Sequence, residues 1–185
     1  MRHLAQLARF GLAAALLLPA AGCSSRPPPV TTTPPARPVS QLAPADRDFL
    51  DAALQSGLAE VAAGRLAAAR GTAPQVRQFG QQMVDRHGAI NQQLASLAQS
   101  NGMTPPTGPS PAGREMLARL QGLRGAAFDH AYLLGQIDAH RQALALYENE
   151  AAQGVDPDVT ALAAQTAPVI RDHLRVATAL QGVAR

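Results

Sequence analysis

From Ala45 onward, apolar residues recur with a helical rhythm, and no stretch alternates as a strand would. Between Pro74 and Gln99 the apolar line is Val76, Gly80, Met83, His87, Ile90, Leu94 and Leu97. These positions step by four and three, which is the a/d spacing of a packed helix, and Phe79 widens the line. A second such line runs through Val159, Leu162, Thr166, Val169, His173, Val176 and Leu180. A mixed line runs through Asp129, Tyr132, Gln136, His140, Leu144 and Tyr147, and a less regular apolar set (Phe49, Leu50, Leu54, Leu58, Val61, Leu66) precedes them all. The pattern predicts four helices, over about 46–70, 74–99, 126–153 and 156–180. Asp46, Asp48 and Asp51 lie in the opening turns of the first, where negative charge suits the helix dipole. Gly71-Thr72 before Pro74, and Gly154 before Asp156-Pro157, are helix stop and start signals separated by only a few residues. They predict two antiparallel hairpins. Pro168, inside the last helix, is expected to kink it and free the carbonyl of Ala164.

The link between the second and third helices is different. Asn101 to Gly113 reads NGMTPPTGPSPAG, which cannot be helix. An amphipathic piece with Met116, Leu117, Leu120 and Leu123 follows, broken at Gly122 and Gly125. Such a link is too long for a tight hairpin but suits a crossover that travels the length of a bundle. The expected class is all-α, a ferritin-like four-helix bundle with a long crossover between helices two and three. Aromatics make up only 3% of the chain and Trp is absent, so its core must be aliphatic and closely packed.

Each predicted helix carries one polar residue on an inward line. These are Glu60, flanked by the small residues Ala53, Gly57, Gly64 and Ala67, then His87, His140 and His173. Measured from the Gly71-Thr72 turn, Glu60 lies ~17 Å along its helix and His87 ~23 Å. From the Gly154 turn, His140 lies ~22 Å along and His173 ~28 Å. The four are therefore able to meet near mid-height. Imidazole and carboxylate together are a ligand set for a transition metal such as Zn, Cu or Fe. The alternative for each histidine is a satisfied core residue bonded to a carbonyl or carboxylate. Met83, one turn before His87, adds a soft thioether that suits Cu(I) or simply fills the core. His130 belongs near the surface.

The N-terminal part is of another kind. Arg2 and Arg9 precede an uncharged apolar run, Phe10 to Leu18, and small residues follow at Ala20, Ala21 and Gly22. This is the pattern of a secretory signal, and the run is too short for a permanent membrane span. The single Cys of the chain, Cys23, comes next. The stretch Leu18-Pro-Ala-Ala-Gly-Cys23 resembles a bacterial lipobox, with Ala20 where Leu is preferred. The resemblance implies cleavage before Cys23, lipid attachment to its thiol, and anchoring in a membrane. Ser24 is not Asp, which by the same resemblance implies an outer membrane lipoprotein, facing the periplasm or the cell surface. Residues 24–44, rich in Pro, Thr and Ser, read as an extended tether. The expected organisation is a signal peptide over 1–22, a lipidated Cys and tether over 23–44, and the bundle over 45–185.

This division disposes of the chain's basic character. The net charge is +3 and every one of the 16 basic residues is Arg. From Ala45 on, however, 12 Arg face 13 acidic residues, a net of −1. The basic excess sits in the leader and tether, so no nucleic-acid partner is expected.

Several stretches together resemble one known family. They are Ala59-Glu-Val, Phe79-Gly-Gln-Gln-Met-Val-Asp-Arg-His87, Gly125-Ala-Ala-Phe-Asp-His-Ala-Tyr132, His140, and Ala167-Pro-Val-Ile-Arg-Asp-His173. They look like domain of unknown function 4142, a family of exported bacterial proteins related to the ferritin-like superfamily. The likeness spans Asp46 to Leu180. It implies a ferritin-like bundle, with Glu60, His87, Asp129, Tyr132, His140 and His173 at the family's recurrent polar positions. It implies no reaction. The Glu-x-x-His pairs of di-iron bundles are missing, because Val84 and Ile170 stand three residues before His87 and His173. No Gly-x-Ser-x-Gly, His-Glu-x-x-His or phosphate-binding Gly loop occurs either. Two readings remain: a non-enzymatic lipoprotein that binds a protein partner of unknown kind or serves a structural role, and a metal-binding or redox-related bundle.

Overall fold

The computed structural model describes residues 42–183. The expected signal peptide, the lipid attachment at Cys23 and almost all of the tether lie outside the described residues. Among the described residues five helices follow one another: α1 (Pro44–Arg70), α2 (Pro74–Ser100), α3 (Pro111–Gly122), α4 (Gly125–Gln153) and α5 (Pro157–Val183). The four long ones are the predicted four, and no strand occurs among the described residues. Leu42, which falls in the expected tether, belongs to the core cluster of Phe49 and Leu50.

The two hairpins close as their sequences dictate. Gly71 donates its amide to Ala67 O and Gly154 to Glu150 O, both at 2.8 Å, and Pro74 and Pro157 begin the next helices. The small face of α1 serves close packing. A Cβ on Gly80 would lie 2.7 Å from both Ala68 N and Gly64 O, so α1 and α2 touch backbone to backbone there. The large side chains Leu58, Val61 and Leu66 are only half-buried, displaced from the interior by this small-residue seam.

The crossover carries its own helix, which starts at Pro111 and so takes in the last three residues of the stretch expected not to be helix, since proline is tolerated in a first helical turn. At the end of α2, Gly102 adopts φ 72°, Met103 N donates to Ala98 O and Gly102 N to Gln99 O. This double cap uses the left-handed conformation that glycine tolerates, and it stops α2 before the proline-rich segment. Ser110 then caps α3 by accepting from Gly113 N at 3.1 Å. α3 pins Leu120 into the core, with Met116, Leu117 and Leu123 packed against its edge.

One carboxylate at the start of each hairpin ties it to the other. Asp46, on α1, accepts from Val155 N and Asp156 N in the α4–α5 turn, both at 2.9 Å. Asp129, on α4, accepts from Thr72 N at 2.9 Å and Ala73 N at 2.8 Å in the α1–α2 turn. The reciprocity extends to the sequence, since Asp46, Gly71, Pro74 and Val76 recur at one constant spacing as Asp129, Gly154, Pro157 and Val159. α1 and α4 are therefore antiparallel, and the crossover runs the full length of the bundle. Asp46 does more than the dipole role read for it. α5 runs through Pro168 without a break in its assignment, and both Pro168 and Ala164 are exposed, so a carbonyl freed there faces water.

Candidate metal centre

The core is two apolar clusters rather than one. One holds Phe49, Leu50, Leu54, Ile90, Leu94, Tyr147, Val159 and Ile170. The other holds Ala63, Ala67, Val76, Phe79, Met83, Phe128, Tyr132, Leu133 and Ala177. On every long helix the chain passes from one cluster to the other at a polar residue: Glu60 on α1, His87 on α2, His140 on α4 and His173 on α5. The result is a polar layer at mid-height between two apolar layers, where the helical count places it.

Three of the four converge. The ligand atoms of His87, His140 and His173 all lie within 4.8 Å of one another. Their ring centroids form a nearly equilateral triangle, with 5.4 Å from His87 to His140, 5.3 Å from His87 to His173 and 5.4 Å from His140 to His173. His87 Nε2 and His140 Nε2 are 3.3 Å apart. Two nitrogens about 2.0–2.1 Å from a tetrahedral ion stand about 3.3–3.4 Å apart, so this pair is already spaced as ligands.

The local chain sets up the chemistry. His140 Nδ1 lies 2.9 Å from the carbonyl of Gln136, one turn earlier on α4. A carbonyl only accepts, so Nδ1 carries the proton and Nε2 presents its lone pair to the centre. His173 Nδ1 is buried and has no hydrogen-bond partner among the described residues. Burial, reinforced by His140 and His173, holds His87 well below the usual imidazole range. Burial followed by His140 brings His173 down to about 4, against a raising effect of Asp172. Both rings are neutral at neutral pH, which is the state that binds a metal.

Glu60 lies beside this trio but is not one of the three clustered ligands. Its carboxylate accepts from Gln136 Nε2 at 2.6 Å. Burial pushes its pKa up, with His140 and the Gln136 bond working against that. Gln136 is the residue whose importance the sequence did not reveal: its side chain holds Glu60 and its backbone holds His140. The only sequence signal was its place one turn before His140 on the inward line. Gln136 Oε1 and the Tyr132 hydroxyl are both buried without a hydrogen-bond partner among the described residues.

The remaining candidates are not members of the trio. Asp129 is occupied by the α1–α2 turn. Tyr132 packs its ring 6.2 Å from both Phe79 and Phe128, and burial raises its hydroxyl, with Glu60 adding to the effect. Met83 belongs to the apolar cluster of Val76 and Phe79. His130 is exposed, with its Nδ1 2.9 Å from Gln181 Nε2.

A family profile described as Domain of unknown function (DUF4142) matches residues 31–180. The chain belongs to that family. No curated protein matches this DUF4142 chain. Among solved structures it is similar to the crystal structure of a DUF305 fragment from Deinococcus radiodurans, with a TM-score of 0.68 and 19% identity, over 77% of this chain and 99% of that one. At that identity the likeness is one of fold. Where a di-iron bundle would place Glu, the DUF4142 chain has Ile170, which is buried in an apolar cluster, and Val84, which is half-buried. The donor set is nitrogen, with a single carboxylate beside it.

Proposed function

We propose that this chain is an exported, lipid-anchored bundle that binds one transition-metal ion through His87, His140 and His173. The observation that carries the proposal is the 3.3 Å separation of His87 Nε2 and His140 Nε2 within a trio whose ligand atoms all lie within 4.8 Å. Neutral imidazoles suit Zn and Cu, whereas non-haem iron sites of similar size use a carboxylate in the primary set. Zn²⁺ or Cu²⁺ is therefore the favoured ion over Fe. Three protein ligands leave a fourth position for water or Glu60. The site is buried between two apolar layers, which suits holding and transferring an ion in the envelope. The lipid anchor rests on the lipobox-like stretch ending at Cys23 and on the tether that follows. Cys23→Ala should abolish acyl labelling and membrane partition.

The test of the site is a titration of tag-free, metal-free protein with Zn²⁺ and Cu²⁺. One equivalent should bind, and His87→Ala or His173→Ala should weaken binding at least about a hundredfold. Equal binding by wild type and both variants would remove the site. The role of a protein-binding module without metal would then be the reading that remains.

A further inference from the structure

The α1–α2 seam closes where Gly64 and Gly80 meet, and an apolar cluster lies on either side of the polar layer along the bundle. Between α1 and α4, roofed by α3, a groove of about 540 Å³ remains. Its walls are small, with Ser56 and Ala59 on α1 and Gly135 and Ala139 on α4. Asp51, which accepts from Gln55, and Asp138, 3.9 Å from Arg141, stand exposed on its lining together with Arg119, and Glu60 adds a third carboxyl. Among the described members of the polar layer, Glu60 is the one that also lines this groove. It is buried to 3% exposure, and its carboxylate is bonded to the same Gln136 that holds His140. The other large groove, about 690 Å³ between α2 and α5, is lined by residues such as Ala89, Gln92 and Ser96 and reaches no member of the layer.

We infer that the α1/α4 groove is the uptake route to the three-histidine centre, and that Glu60 is a relay ligand that passes a divalent transition-metal cation from the groove to His140. The inference rests on the metal reading above. An acidic lining concentrates cations. A carboxylate at the inner end replaces water of hydration before imidazole does, so the ion is never bare on its way into a dry layer. The small side chains along both walls leave the width such a passage needs.

The test is the rate of loading of the metal-free, tag-free full chain with Co²⁺, read by the visible absorption of the nitrogen-ligated ion. Gly135→Leu is the plug, because the one atom within 4 Å of a Cβ built there is Met116 Cγ, at 3.9 Å. It touches no ligand, and melting by circular dichroism checks that it folds. Gly135→Leu should slow loading and release together by about tenfold or more and leave the equilibrium affinity within about twofold. Glu60→Gln should also slow loading. Should the plug prove unstable, Asp51→Asn with Asp138→Asn should slow loading by about threefold and weaken its salt dependence. Wild-type loading rates in the folded groove variants and in Glu60→Gln would overturn the route while leaving the metal site standing. A wild-type chain that takes up no Co²⁺, Zn²⁺ or Cu²⁺ would overturn the metal reading and the route with it.

Discussion

Replacing Asp129 by Ala removes a carboxylate that is 4% exposed and accepts two backbone amides, from Thr72 at 2.9 Å and from Ala73 at 2.8 Å. A hydrogen bond to a charged group contributes about 1.5–3 kcal/mol. Thr72 is exposed and Ala73 half-buried, so water reaches part of what the carboxylate leaves, and the lower half of the range applies. The expected loss is about 3–4 kcal/mol, or a fall in Tm of about 10 °C for a domain of this size. Asp129→Asn keeps one acceptor oxygen and should lose about half as much. Ser110→Ala, which removes an ordinary helix cap with a single bond to Gly113 N, is the internal standard at about 1 kcal/mol. The effect reaches the three-histidine cluster, because Asp129 and Asp46 fix the height at which the hairpin carrying His87 meets the one carrying His140 and His173. Asp129→Ala should therefore also weaken metal binding, although it touches no ligand. The assay is urea unfolding of the metal-free chain, followed by circular dichroism with the m-value held as a check. A loss no greater than that of Ser110→Ala would refute the idea that this carboxylate sets the register of the hairpins.

Gly80→Val should cost about 3 kcal/mol or prevent folding, because its Cβ would meet the backbone of Gly64 and Ala68 at 2.7 Å; an unchanged melting curve would contradict the close seam. Glu150 gives a pH test. Burial first, and then the Asp46 and Asp156 carboxylates, push it from 4.5 up to about 7. A carboxyl raised in the fold contributes stability that is complete below 4.5 and is lost as the pH climbs through about 7. Glu150→Gln should therefore stabilise the chain by about 1–2 kcal/mol at pH 8 and by much less at pH 5, with water at the bundle end limiting the gain. Thermal melts at the two pH values check it, and a difference that does not change with pH would contradict the assignment.

The helices and the mid-height layer were legible because their signals are local. Gly71 to Pro74 and Gly154 to Pro157 mark both hairpin turns without any knowledge of the fold, and the steps of four and three through His87 and His173 place both rings inside. Counting residues back from those turns brings the polar positions to similar height, because a helix has a fixed rise. The contacts that cross between hairpins were not legible. Asp46 near the start of a helix looks the same in sequence whether it faces the dipole or the α4–α5 turn, and the turn amides it binds lie more than 100 positions away. Gln136 was hidden for the same reason, since its partner Glu60 is on another hairpin. The sequence grouped Glu60 with the histidines by height. Its bond to Gln136 sets it to one side of the three nitrogens. Leu42 looks like tether in sequence because alanine and proline follow it, and its burial depends on the end of a core that only the assembled bundle creates.

The measurement that bears most directly on the metal centre is X-ray absorption at the metal edge of tag-free chain loaded with one equivalent of Zn²⁺. The arrangement of His87, His140 and His173 predicts three imidazole nitrogens at about 2.0–2.1 Å, with the outer-shell scattering of histidine rings, and loss of one such ring in His173→Ala. A spectrum without imidazole scattering, or a metal content near zero after loading, would contradict it.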